Sequence, residues 1–219
     1  MNRLLVIDTA QSYPILGIVE FGRPLALAGS VDGPDSLHIL LRDVLCQSSR
    51  SATLLLPELD AIVVSTGPGR FTSLRGGVAF AKGLAAAQVP VVGVPSISAL
   101  AEAATNLPTA VLIPAGRGRY YLARSDRQND IRTVELEQVV HIVPPSGSVV
   151  GDVPAKHREA LQAQGLQPYT VSPRQLVKAM TRLARKLLNH GQGPAQWTAV
   201  PRYVTPPTRA QAATWMSRA

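Results

Sequence analysis

The sequence holds one cysteine, Cys46, in 219 residues. That excludes an intrachain disulfide, leaves no thiolate set for a structural metal, and predicts a reducing, cytoplasmic setting. Histidine is scarce too: His38, His141, His157 and His190 are the only four, and no two share a metal-ligand spacing. Long apolar runs are missing. The opening run of Leu4-Leu5-Val6-Ile7 ends at Asp8, and no later stretch reaches 18 apolar residues, which predicts neither a signal peptide nor a membrane span. The Lys-Ser/Thr of a phosphate loop and the spaced glycines of a dinucleotide fold are both lacking. No Ser-His-Asp order stands out, and Cys46 has no nearby histidine, so a peptidase reading has no nucleophile behind it. On the first predicted helix, Cys46 reads as a small apolar residue.

Apolar mass is what the chain has in quantity. Hydrophobic residues make up 46% of it and charged residues 16%, which excludes a disordered chain and is ample for a core. With aromatics at 5%, that core is aliphatic, built by Ala, Val and Leu. The length predicts one or two domains. The net charge of +8 is uneven: 7 Lys/Arg against 8 Asp/Glu in residues 1–114, but 15 against 6 in residues 115–219. The basic half either solvates an outer face or touches a polyanion. Arg182, Arg185 and Lys186 form the cluster to test, although no aromatic-rich platform for RNA accompanies it.

Pattern and punctuation predict β-β-β-α-β-α-β-α over the first half. Strands fall at 3–8, 15–20 and 24–30, turning at Gly22. A helix covers 36–47, with Ser36 or Asp35 as its N-cap. The unbroken apolar strand 61–65 suits a sheet covered on both faces. A helix over 71–87, a strand at 89–94 and a helix at 96–105 follow. Strands are predicted at 109–113, 119–125, 131–137, 148–151 and 167–171, with helices at 155–164 and from Ser172-Pro173 to about Asn189. The tail from Gly193 reads as extended chain. No repeat is visible in the sequence. This order predicts an α/β protein with a ribonuclease H-like N-terminal lobe, residues 1–106, and a smaller C-terminal lobe, residues 107–219.

Two segments could carry function. Asp8 and Thr9 end the first strand, where a carboxylate faces a nucleotide-bound metal or simply caps a turn. Gly67-Pro68-Gly69 joins a buried strand to a helix, so its glycines allow close backbone approach and free amides could hold an anion. A nucleotide contact would therefore fall on Asp8, Thr9, Gly67 and Gly69. The helix behind the loop is unusually small-sided. Glycine inside a helix costs about 1 kcal/mol relative to Ala, so Gly76, Gly77 and Gly83 call for compensation by a close neighbour. Gly76, Ala79 or Phe80, Gly83 and Ala87 share one face. Either the chain's own first helix or a partner helix packs there.

The stretch Ser65-Thr66-Gly67-Pro68-Gly69-Arg70-Phe71-Thr72-Ser73-Leu74-Arg75 resembles the Gly-Pro-Gly-Ser-Phe-Thr-Gly-Leu-Arg signature of the TsaB (YeaZ) family. Val6-Ile7-Asp8-Thr9-Ala10 resembles that family's opening Ile-Asp-Thr-Ser. His38 with Leu41 fits its first helix, and Val91 to Ser96 the strand after its second. In the second lobe Gly118 and Tyr121 match a family segment, whereas Pro114, Gly116 and Arg119 replace its Asp, Arg and Glu. Pro201-Arg202-Tyr203 is similar to a short element near the family's C-terminus.

The resemblance implies a two-lobed actin-like ATPase (ribonuclease H-like) fold with a degenerate second lobe. It implies a non-catalytic subunit that dimerises, through its first two helices, with a TsaD-type catalytic subunit. With a TsaE-type ATPase, that complex transfers threonylcarbamoyl to adenosine 37 of tRNA. The partner interface would then include His38, Leu41, Leu45, Arg75, Gly76, Ala79 and Gly83. No catalytic residue, metal or cofactor is expected on the chain alone. ATP or ADP is expected only at the partner junction, tRNA contact only indirectly, and a homodimer when the partner is missing. The rival readings are a kinase or nucleotide hydrolase of the same fold, resting on Asp8 and Thr9, and a glycoprotease-like peptidase.

Overall fold

The computed structural model describes residues 2–29, 37–48, 56–85, 89–104, 106, 108–189, 199–201 and 204. Two five-stranded sheets organise it. The first runs in the order β3-β2-β1-β4-β5, from β1 (Arg3–Asp8), β2 (Ile15–Glu20), β3 (Arg23–Gly29), β4 (Ala61–Gly67) and β5 (Val91–Pro95). Helix α1 (Leu37–Gln47) follows β3, α2 (Phe71–Leu84) follows β4, and α3 (Ser96–Ala103) follows β5. β1 pairs antiparallel with β2 and parallel with β4, so the meander and the helix-connected strands meet at the centre of the sheet. β1 and β4 are buried along nearly their whole lengths, as unbroken Leu-Leu-Val-Ile and Ala-Ile-Val-Val runs require of strands covered on both faces.

The second sheet contains β6 (Ala110–Gly116), β7 (Arg119–Arg124), β8 (Arg132–Val134), β9 (Ser148–Gly151) and β10 (Gln167–Tyr169), with α4 (Leu136–Ile142), α5 (Ala155–Ala163) and α6 (Pro173–Asn189). Its order, β8-β7-β6-β9-β10, and its strand directions repeat those of the first sheet. The fold is thus a duplication, although no repeat survives in the sequence. Stacking gives five layers. α1 and α2 cover the outer face of the first sheet, through Leu37, Leu40, Val44, Val78 and Ala81. α3 and α6 lie between the sheets, with Ile97, Leu100, Val177 and Met180 in the largest core cluster beside Val6, Val63, Val111 and Val150. α4 and α5 cover the far face, through Val139 and Leu161.

β1, β2 and β9 fall where the sequence predicts them, and most other boundaries shift by one to three residues. The predicted strand over 131–137 is corrected. Only Arg132–Val134 is strand, and the chain then enters α4, which the sequence reading missed. Val139, Val140 and Ile142 favour strand by propensity. A capping box overrides them: the Glu135 side chain takes the Gln138 N–H, and the Gln138 side chain takes the Glu135 N–H. The N-cap of α1, Ala87 and nearly all of the tail from Gly193 lie outside the described residues. Cys46 is exposed rather than packed, because the inward face of α1 is Leu37, Leu40 and Val44.

Candidate functional site

Asp8 closes β1 and is almost wholly buried, at 2% exposure. Its Oδ1 accepts the Ala10 N–H at 3.4 Å, and its Oδ2 has no partner among the described residues. Burial pushes its pKa up to about 6 against the lowering pull of the Ser65 hydroxyl and the Ala10 and Gln11 N–H groups, with Asp152 adding a small upward push. Thr9 is buried beside it. Its N–H donates to Ser65 Oγ at 3.0 Å, and its hydroxyl has no partner among the described residues.

The glycines of the loop and helix serve this buried junction. Gly67 has φ +106°, which glycine adopts without strain, and its N–H donates to Ser96 Oγ at 3.1 Å. A Cβ on Gly69 would sit 3.0 Å from Ala10 Cα, so the loop lies directly on the turn after β1. A Cβ on Gly77 would fall 2.3 Å from Thr9 Oγ1. Gly77 therefore lets α2 rest on the end of β1. The Gly77→Ala protein is expected to lose about 1–3 kcal/mol of stability by overpacking, or several degrees of Tm at this size. Thermal melts check this, and a variant melting with the wild type would show that the contact is not tight.

Asp8, Thr9, Gly67 and Gly69 thus come together, but around their own chain. The carboxylate that would carry a metal is walled off from solvent. Among the described residues no group of three His, Cys, Asp or Glu could hold a metal ion. Beside this junction, between the sheets, lies a cavity of about 640 Å³ whose lining includes Gln11, Tyr13, Leu100, Asp152, Arg158 and Leu176. Asp152 accepts the Ser12 N–H at 2.9 Å and so ties the sheets together, and both amide atoms of the buried Gln11 lack partners among the described residues. Asp152 did not stand out in the sequence. No sequence signal marks it; the duplicated topology, visible only in the structure, places Asp152 directly after β9 as Pro68 directly follows β4.

The other predicted residues sit on the outer layer. On α1, His38 is exposed and Leu41 and Leu45 are half-buried, with Ile39 exposed between them. On α2, Leu74, Gly77, Val78 and Ala81 face inward. Gly76, Ala79 and Gly83 are exposed, and Arg75 lies over the Phe71 ring at 5.1 Å. Beyond α2 itself, no atom of the described residues lies within 4 Å of where a Cβ on Gly76 or Gly83 would stand. The chain's own α1 therefore does not fill the small-sided face. Phe80, on the margin of that face, packs partly into the core. Among the described residues, no helix is long and apolar enough to cross a membrane.

These features define a two-lobed protein of the actin-like ATPase, ribonuclease H-like class. Its strand-end carboxylate is buried, and one outer helix pair has a small-sided face. Comparison with known proteins narrows the class. Residues 39–189 match the family model described as TsaD: tRNA N6-adenosine threonylcarbamoyltransferase. The uncharacterized protein Rv3421c of Mycobacterium tuberculosis is 33% identical over 186 residues, covering 82% of this chain and 85% of that protein. ML0378 of Mycobacterium leprae is 39% identical over 129 residues, and the match spans only 35% of its length. TsaB of Escherichia coli, a tRNA threonylcarbamoyladenosine biosynthesis protein, is 32% identical over 135 residues, covering 58% of this chain and 57% of TsaB. The solved structure of YeaZ from Pseudomonas aeruginosa superposes with a TM-score of 0.66 at 24% identity, covering 93% of this chain and all of that one, which shows the shared fold. The chain belongs to the family that the TsaD model describes, as a TsaB-type (YeaZ-type) member.

Proposed function

We propose that this chain is a non-catalytic subunit in tRNA threonylcarbamoyladenosine biosynthesis, docking through α1 and α2 onto a TsaD-type catalytic subunit. Kinship with TsaB supports the pathway. The observation that carries the docking role is the open surface over Gly76 and Gly83, where helix glycines that cost stability meet nothing beyond their own helix among the described residues. Such positions let another backbone approach closely. Leu41, Leu45, His38, Arg75 and Ala79 frame that surface.

The partner would supply the catalytic centre, and a TsaE-type ATPase would join through the complex. In this reading ATP or ADP belongs at the subunit junction rather than on this chain alone. The burial of Asp8 weighs against the rival reading of an unaided kinase or hydrolase, because a metal-bound phosphate needs an ionised, accessible carboxylate. The reaction is one of the cytoplasm, where we place the chain.

Co-purification from native extract tests the reading. A tagged chain is expected to bring down the TsaD-type subunit in stoichiometric amount, and threonylcarbamoyl transfer to tRNA in vitro is expected to need both. Transfer by the partner at full rate without this chain, or nucleotide turnover by the isolated chain that Asp8→Ala abolishes, would overturn it.

A further inference from the structure

Helix α6 carries Arg174, Lys178, Arg182 and Lys186, four exposed cations at successive i, i+4 positions. They form one row about 18 Å long, at 1.5 Å of rise per residue. Like charges at this spacing repel, so the row opposes the helix that bears it. α6 itself contains no Asp or Glu. One carboxylate answers the row from a packed neighbour: Glu102 of α3 takes Arg182 Nε at 2.7 Å and Lys186 Nζ at 3.7 Å. Arg174 and Lys178 have no ion-pair partner among the described residues. The cluster suggested by sequence is therefore redrawn. Arg185 leaves it, lying half-buried with its guanidinium against Gly22, and Arg174 and Lys178 join it.

The C-terminal end of the row meets a second feature. Phe21 turns the β2–β3 hairpin with φ +48°, a left-handed conformation that a bulky side chain seldom adopts, and the residue is 72% exposed. With Asn2, Arg185 and Asn189 it lines a concavity of about 380 Å³. A cationic row ending on an exposed aromatic beside amide groups matches what single-stranded or looped RNA requires. Phosphates meet the cations, and a base stacks on the ring. An anionic membrane fits less well, because the apolar face of α6, Leu176, Val177, Met180 and Ala184, is already buried in the core and has nothing left to insert.

We propose that α6, with Phe21 at its end, is a direct RNA-binding surface of this chain. Arg174, Lys178, Arg182 and Lys186 contact backbone phosphates, and Phe21 stacks on an unpaired base. The inference deepens the tRNA-modification reading above and rests on it for the identity of the RNA.

Fluorescence anisotropy with unmodified tRNA, titrated with salt, tests it on the full chain. The wild-type chain is expected to bind, with affinity falling steeply between about 50 and 200 mM salt. Arg174→Gln with Lys178→Gln should flatten the log–log salt slope by about 1.5. Phe21→Ala should weaken binding roughly tenfold and leave the slope unchanged. Arg117→Gln with Arg119→Gln removes equal charge from the exposed β6–β7 turn and should change the slope little. Equal flattening by both pairs, or no binding by the wild type, would overturn the proposal. So would capture by vesicles of about 30% phosphatidylserine in place of tRNA. Capture of the catalytic partner is a separate readout. A chain that captures it but ignores the row variants loses the RNA surface alone, and one that binds RNA through the row but captures no partner loses the accessory reading alone.

Discussion

Gly76→Leu and Gly83→Leu are each expected to weaken capture of the TsaD-type subunit roughly tenfold to a hundredfold, while the chain folds and melts like the wild type. Beyond α2 itself, neither position has an atom of the described residues within 4 Å of a Cβ, so the added side chain starts out into open space in the free protein. In a docked complex it would hold two backbones apart, and overpacking of that kind typically costs about 1–3 kcal/mol, which is the stated loss of affinity. Gly77→Ala, one residue along, reverses the pattern by destabilising the fold through Thr9. Titration of the immobilised partner against each variant separates the two effects. Undiminished capture by both leucine variants would remove this face as the docking surface.

Asp8→Asn is expected to stabilise the protein at neutral pH by up to about 3 kcal/mol, from roughly two pKa units at 1.36 kcal/mol each. The sign follows from the direction of the shift. Burial raises the folded-state pKa from 3.8 to about 6, so the folded chain holds this proton more tightly than the unfolded chain. The stability Asp8 contributes is fully present below about pH 4 and lost as pH rises through about 6. Wild type and variant should therefore unfold at similar urea concentrations at pH 4, diverge through pH 5 and 6, and keep a constant gap above pH 7. Parallel curves across that range would show that Asp8 ionises freely. Retained partner capture by the Asn variant is also expected, since the carboxylate faces the interior and not the outer helices.

Much of the architecture was legible because β1, β4 and β5 are apolar runs that only a doubly covered sheet accommodates, and because Gly22, Pro68 and Pro173 mark the β2–β3 turn, the end of β4 and the start of α6. The small-sided face of α2 was legible from spacing alone. Two things were hidden. The local capping of α4 outweighs the β propensity of its valines, and side-chain chemistry at its start, not periodicity, decides the element. The duplication left no sequence trace because each copy now packs different neighbours: α2 carries three glycines, whereas its counterpart α5 carries none. Gly67 and Gly69 were read correctly as close-approach positions, but what approaches is Ser96 and Ala10 of the same chain. Composition could not distinguish a ligand from a neighbouring turn.

That asymmetry between the two copies sets the valency of the molecule. Among the described residues of its two outer layers, only the α1–α2 end is small-sided, while α4 and α5 contain no glycine. A body with one adhesive end cannot propagate into a filament, as a body with two different, complementary ends can. Under the proposed docking, self-association through that end would close at two copies. The same end could not then serve a second copy and a catalytic partner at once, so the two assemblies would compete, and the proportion of each would follow the supply of partner.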